Sequence, residues 1–311
     1  MNQSLTFFLL RGISNIPHLQ VPIFLMVLFI YLVTLFGNMT IVLLIFLDHR
    51  LHTPMYFFIR NLSFLDICYS TDILSEVLLT FIMGSHQIPK PLCMLQLYGF
   101  MSFVGTEVLL LTAMSYDRYV AICNPLRYTI VMNSDVYISL VIICWLVGFM
   151  ETLPHISTFA SFSCFKTNVI NHFFCDLRAL MDISCSNTFV LKTVIMYESI
   201  FSGFLPFLLT FMSYIYIIRA IFAIPSGLGR YKAFYTCASH LMVVMLFYVT
   251  LFCLYLKPTS SSSSSQDSEK VSSLLYTAVV PMLNPLIYSL KNKDVKLALR
   301  RVFEAHKIIK I

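Results

Sequence analysis

The chain has 311 residues, of which 58% are hydrophobic and only 12% charged, and its mean hydropathy is +0.81. A soluble domain carries about 25% charged residues, so a water-soluble globule of this size is excluded. Basic residues exceed acidic ones by 21 to 15 but are scattered through short polar segments between apolar runs, a pattern of membrane topology and not of nucleic-acid binding.

From the start of the chain, Met1 to Val21 contains one basic residue, Arg11, and no small-residue cleavage site, so the first apolar span is expected to serve as the insertion signal. Asn2-Gln3-Ser4 is a glycosylation sequon, lumenal if the N-terminus is outside. A bilayer-crossing helix needs about 20 mostly apolar residues. Seven windows meet that length: Pro22 to Leu47, Met55 to Ile82, Met94 to Ala121, Val136 to Phe159, Val194 to Ile218, Phe234 to Leu256 and Val271 to Leu290. The second, third, fifth and seventh carry acidic, Ser/Thr or Pro residues, as the inner faces of a helix bundle do.

The segments assigned to the cytoplasm carry 13 Lys/Arg against 5 Asp/Glu, and the outer segments 7 against 4. The positive-inside rule therefore puts the N-terminus outside and the C-terminus in the cytoplasm of a multi-pass plasma-membrane protein. The expected fold is an all-α membrane protein, a seven-transmembrane helix bundle over residues 1–290, followed over 291–311 by a short amphipathic helix and tail. That helix sets Val295, Leu299, Val302 and Phe303 against Lys296, Arg300 and Arg301, suited to an anionic inner leaflet, which makes membrane lipid an expected partner. The serine run Ser260 to Ser265 reads as a solvated outer loop.

Cys93, Cys164, Cys175 and Cys185 fall on the oxidising side and suit two disulfides, with three pairings open. Cys68, Cys123, Cys144, Cys237 and Cys253 read as thiols packed as small hydrophobes. Cys237 and His240 share a helix face, but two ligands do not make a tetrahedral site, so no metal is assigned.

Charged groups inside spans are informative because each costs about 2.5 to 3.5 kcal/mol at the bilayer centre on insertion scales. Asp66, Asp72, Glu76, Glu107, Glu151 and Glu198 all lie within apolar windows. Asn38, Asp66, Glu107 and Asn284 fall at comparable depths in spans one, two, three and seven. Two carboxylates and two amides suit a proton or a sodium ion, or simply fasten helices together. Asp117-Arg118-Tyr119 ends span three as an electrostatic latch, the acid restraining the arginine until a conformational change frees it. Pro285, after Asn284, removes one backbone hydrogen bond and permits a kink low in span seven, while Tyr214 and Tyr288 reach toward the same inner region.

Four long motifs then occur in order: Leu51 to Phe58 (LHTPMYFF), Met114 to Cys123 (MSYDRYVAIC), Lys232 to Leu241 (KAFYTCASHL) and Pro281 to Leu290 (PMLNPLIYSL). With them the chain resembles the odorant receptors, a branch of the rhodopsin-like G-protein-coupled receptors, over nearly its whole length. Ser115 and Lys291 depart locally from the family pattern. The resemblance implies a receptor and not an enzyme, a small-molecule odorant, a stimulatory olfactory-type G protein, a rise in cyclic AMP and no cofactor. It also implies the pairings Cys93 with Cys175 and Cys164 with Cys185. Arg118 becomes the expected G-protein switch, with Asp117, Tyr119, Tyr214, Lys232, His240, Asn284, Pro285 and Tyr288 taking part in coupling and activation.

The resemblance implies a ligand site among the outer halves of spans three, five and six, with span seven as a candidate wall. The candidates are Met101, Ser102, Gly105 and Thr106; Glu198 and Ser202; Leu251, Phe252 and Tyr255; and Thr277. Such sets at a spacing of three to four also describe ordinary helix packing. The expected ligand is small and largely hydrophobic with one polar group. A small-solute transporter is the competing function, disfavoured by the lack of inverted repeats or aligned polar pore residues; a membrane enzyme is disfavoured by the lack of a protease motif, a metal triad or a phosphate loop.

Overall fold

The computed structural model describes residues 6–13, 17–83, 86–162, 164–255, 270 and 272–309. The long helices are α1 (Pro17–Leu47), α2 (Pro54–Met83), α3 (Lys90–Cys123) and α4 (Ser134–Glu151), which α5 (Leu153–Ala160) continues. After the outer loop, with its short helix α6 (Leu177–Ile183), come α7 (Phe189–Glu198), a π-helical turn Ser199–Phe204, and α8 (Leu205–Ala223) as one continuous stretch. Next are α9 (Gly227–Tyr255), a second π-helical turn Leu275–Val279 leading into α10 (Val280–Lys291), and α11 (Lys293–Ile309). Five of these stretches are long and apolar enough to cross a bilayer. The 30-residue α2 matches them in length but carries Arg60, Asp66, Asp72 and Glu76.

The distribution of side chains is the reverse of a soluble protein's. Phe29, Phe36 and Phe46 on α1 are 65%, 70% and 68% exposed, and Ile142, Leu146 and Met150 of α4 face outward too. Asn38, Asp66, Glu107, Asp117, His155, His240 and Asn284 are buried. Hydrocarbon as the outer solvent accounts for both: it tolerates apolar faces and drives polar groups inward. The chain is a helical membrane bundle.

Prolines set several of the breaks. Pro154 follows the end of α4, and each π-helical turn runs directly up to a proline, Pro206 or Pro281. A proline supplies no amide to the carbonyl four residues back and crowds it. In these two helices that carbonyl belongs to Ser202 and Thr277, and widening the turn relieves the crowding.

The end of the bundle next to the N-terminal segment, the outer end on the charge-based expectation, carries a small sheet that hydropathy did not reveal. β1 (Phe7–Leu10) pairs antiparallel with β2 (His86–Pro89), Phe8 facing Ile88, and parallel with β3 (Val169–Ile170), Leu9 facing Val169. Strands of two to four residues are too short for alternation to register. Phe8, Leu10, Ile88, Phe159, Phe162 and Ile170 pack beneath this cap with Cys93 and Cys175. The disulfides Cys93–Cys175 and Cys164–Cys185, with Cα atoms 5.5 and 5.4 Å apart, tie the outer loop to the top of α3 and to itself. His172 of this loop is buried against the rings of Phe173 and Phe174, at 4.6 and 4.5 Å.

At the opposite, inner end, α9 begins at Gly227, seven residues before the apolar window, in a stretch with Arg230 and Lys232 that hydropathy does not mark. α11 packs Val295 and Ala298 inward and ties Arg301 Nε to Asp48 Oδ2 at 3.0 Å. Burial would raise the Asp48 carboxyl, but hydrogen bonds from Arg301 and the Arg50 amide and the charges of both arginines outweigh it, and its pKa is lowered. Asn2 and the Ser260 to Ser265 run lie outside the described residues.

Candidate functional site

Two cavities lie at opposite ends of α3. The outer one, about 550 Å³, is walled by Met101, Val104, Gly105 and Val108 of α3, by Phe207, Tyr248, Leu251 and Phe252, and by Tyr276 and Thr277. Its polar groups include Glu151, Glu198 and Ser202, with Asp176, Arg178 and Lys192 toward the outer loop. This is the composition of a small-molecule pocket, mostly apolar with a few placed polar groups.

Of the ten ligand candidates, Met101, Gly105, Glu198, Ser202, Leu251, Phe252 and Thr277 line this cavity. Ser102 and Thr106 do not. They face α4: Ser102 Oγ lies 2.8 Å from Thr152 Oγ1, and Thr106 Oγ1 donates to the Ser102 carbonyl at 2.8 Å. Gly148 opposes them so closely that a Cβ there would stand 2.7 Å from the Thr106 amide nitrogen and 3.0 Å from the Ser102 carbonyl oxygen. The side chain of Tyr255 lies outside the described residues.

Glu198 approaches His155, Nε2 to Oε2 2.6 Å, with the imidazole fully buried. Glu151, one helical turn before His155, enters the same cavity and accepts a hydrogen bond from the Ser202 hydroxyl. Sequence reasoning recognised Glu151 as an acid inside a span without placing it in the pocket. Thr277 is completely buried and its hydroxyl has no hydrogen-bond partner among the described residues. Thr34, Thr106 and Thr112, by contrast, each donate to the carbonyl four residues back. Thr277 lies within the second π-helical turn.

Below the pocket, Asn284 Nδ2 donates to Asp66 Oδ2 at 3.1 Å, joining α10 to α2. Asn38 belongs to a neighbouring contact, its Nδ2 donating to the carbonyls of Thr34 and Pro281 at 3.0 and 3.1 Å. Glu107 is buried and its Oε1 has no hydrogen-bond partner among the described residues. No cluster of three or more His, Cys, Asp or Glu able to hold a metal ion occurs among the described residues.

The inner cavity, about 610 Å³, is lined by Arg118, Tyr128, Lys232, Tyr235, His240 and Tyr288, among others. Arg118 is turned back on its neighbour, Nε and Nη2 donating to Asp117 Oδ2 at 3.0 and 2.5 Å. Tyr128, which the sequence did not single out, donates to Asp117 Oδ1 at 2.8 Å from the following loop. Tyr214 Oη lies 2.6 Å from His240 Nδ1, linking α8 to α9. Tyr119 points instead to α8, its ring 6.0 Å from that of Tyr216. Pro285 packs on α1 where Gly37 leaves room: a Cβ at Gly37 would come within 3.0 Å of the proline ring. Tyr56 Oη reaches Asn292 Oδ1 and Asp294 Oδ2, both at 3.0 Å, closing the floor between α2 and α11.

Comparison with known proteins bears on the family of the chain. A family model described as olfactory receptor matches residues 27–306. The chain is 48% identical to olfactory receptor 8G50 of Mus musculus over 98% of both chains. It is 48% identical to olfactory receptor 8D1 of Homo sapiens over 95% of both. With olfactory receptor 8G1 of Homo sapiens it shares 44% identity over 99% of this chain and 98% of that one.

Proposed function

The chain belongs to the olfactory receptor family, whose members are receptors and not enzymes, and on that premise we propose that it binds a small, largely hydrophobic odorant in the outer cavity and activates a stimulatory olfactory-type G protein to raise cyclic AMP. The observation that carries the proposal is that one helix, α3, forms a wall of both cavities: Met101 and Gly105 line the outer, Arg118 the inner. Met101 and Arg118 are separated by about 25 Å of helical rise. Occupancy of the outer cavity that shifts α3 against α8 and α9 alters the surroundings of Arg118. The arginine then exchanges Asp117 for the G protein.

In this reading Met101, Gly105, Glu198, Ser202, Leu251, Phe252 and Thr277 contact the ligand, while Ser102 and Thr106 hold α3 against α4. Asp117, Arg118, Tyr119, Tyr214, Lys232, His240, Asn284, Pro285 and Tyr288 take part in coupling. The charge asymmetry between segments supports an extracellular N-terminus and a cytoplasmic C-terminus at the plasma membrane, with Asn2 available for glycosylation. The basic face of α11 suits anionic lipid. Asn38, Asp66, Glu107 and Asn284 offer oxygen ligands for one proton or one sodium ion.

The test is an odorant panel applied to cells that supply the olfactory G protein, with cyclic AMP as readout and surface delivery verified. An agonist response abolished by Arg118→Ala at equal surface expression is the expected result. Ligand-independent solute flux in liposomes lacking any G protein, with no cyclic AMP response in cells, would overturn it in favour of a transporter.

A further inference from the structure

Three carboxylates line the outer cavity, Glu151, Asp176 and Glu198, against two cations, Arg178 and Lys192, and both cations stand on the outer loop or in the first turn of α7. Glu151 ends α4 and Glu198 ends α7, and both line the cavity. Among the described residues neither is paired with a lysine or arginine: Glu198 meets His155 and Glu151 receives the Ser202 hydroxyl. Lys192 belongs to the outer part of α7, about 9 Å of helical rise from Glu198. Two carboxylates in a mostly apolar cavity are costly without a cation, and one imidazole balances at most one of them.

Two other features of the cavity suit a cation with a polar function elsewhere on its body. Phe207 stands edge-on to Tyr248 and Phe252, at 5.0 and 5.3 Å, and all three rings line the cavity. The rings offer an apolar wall for the hydrocarbon body of such a ligand. The Thr277 hydroxyl, buried and without a partner among the described residues, lines the same cavity from the other side of the bundle.

We propose that the ligand class of this receptor is a small hydrophobic amine, its ammonium seated between Glu151 and Glu198 and its apolar body against Phe207, Tyr248 and Phe252. The assignment rests on reading the outer cavity as the odorant site. Glu198 and Glu151 are then the residues that select amines over neutral molecules of the same shape, and Thr277 favours amines bearing an oxygen at the far end.

The experiment uses the full-length receptor purified in detergent, and thermal unfolding as a binding readout that needs no G protein. The probes are isosteric pairs: 3-phenylpropylamine with 3-phenylpropan-1-ol, and hexylamine with hexan-1-ol. The expected result is a rise in Tm with the amines and not with the alcohols. Glu151→Gln and Glu198→Gln should each raise the amine concentration needed by about tenfold or more, the usual cost of losing a charged hydrogen bond. Glu198→Asp, which keeps the charge, should retain the preference for amines. Equal shifts from amine and alcohol, or no shift from either amine at millimolar concentration, overturns the proposal. If the carboxylate variants do not fold, the wild-type comparison decides alone. Cyclic AMP separates the two readings: a neutral agonist that signals through Arg118 while amines fail to bind leaves the odorant receptor standing and overturns the amine assignment, whereas selective amine binding without any cyclic AMP response does the reverse.

Discussion

Tyr128 and Arg118 are joined through one carboxylate. The phenol donates to Asp117 Oδ1 at 2.8 Å while the guanidinium holds Oδ2, so the second inner loop bears on the same acid that restrains the arginine. Removing the phenol frees Asp117 to swing and weakens its grip on Arg118.

Tyr128→Phe deletes one hydrogen bond to a charged acceptor, worth about 1.5 to 3 kcal/mol. Cyclic AMP in the absence of agonist, at matched surface expression, should rise about tenfold or more. A basal level equal to wild type would mean that Asp117 restrains Arg118 without help from the loop.

Gly148 should not accept a side chain. A Cβ there meets the backbone of α3 at Thr106 and Ser102, and backbone cannot step aside as a side-chain tip can. Gly148→Val is expected to cost about 1 to 3 kcal/mol through overpacking and to remove most of the protein from the cell surface, as counted by flow cytometry on an outer tag. Gly203, where an added methyl would meet nothing within 4 Å, should accept alanine with little loss.

His172 makes the outer loop sensitive to acid. Burial pushes its imidazole down to about 4; Asp176 pulls it up and Lys270 pushes it down again, by smaller amounts. In the unfolded chain the same group titrates near 6.5. Between those two values the unfolded chain binds a proton that the folded one refuses, so the contribution of His172 is complete above pH 6.5 and is lost as pH falls toward 4. Thermal unfolding of the purified receptor from about pH 7.5 to about pH 4.5 should show Tm falling through that window, with a flatter curve in His172→Phe. A variant curve parallel to wild type would assign the acid sensitivity to other groups.

The carboxylates of Asp66 and Glu107 offer a direct test of the sodium reading. Replacing choline chloride by sodium chloride at constant ionic strength should raise Tm, and Asp66→Asn or Glu107→Gln should abolish the rise. The same Tm in both salts for the wild type would leave the network as a fastening between helices.

The long helices were legible because hydrocarbon imposes one simple demand, an apolar stretch of sufficient length, and the sequence meets it in consecutive windows. Where that demand lapses, legibility lapses too. The inner extension of α9 from Gly227 carries Arg230 and Lys232 among its apolar residues, and the sheet of Phe7–Leu10 with His86–Pro89 is held by backbone bonds that leave little trace in side-chain pattern. Within the candidate pocket the difficulty was one of direction. Met101, Ser102, Gly105 and Thr106 lie on adjoining parts of one helix, and hydropathy does not distinguish the strip that faces a cavity from the strip that seats a neighbouring helix. Gly148, a residue with no side chain, decides that Ser102 and Thr106 belong to the second. Tyr128 escaped notice because it contributes through a loop to an acid whose partner in sequence, Arg118, already gave it a role.

The two widened turns before Pro206 and Pro281 also change how the chain should be compared with its relatives. One residue advances an ordinary helix by about 100°, so a turn that takes in an extra residue rotates everything on its outer side relative to everything on its inner side. Glu198 and Tyr214 therefore sit on different phases of what looks like a single rod, and so do Ser273 and Asn284. A helical wheel drawn straight through either rod would assign the wrong residues to the pocket. A relative that lacks one of these prolines can present a different set of side chains to its odorant from an almost identical sequence, which is an economical way for one scaffold to diversify what it smells.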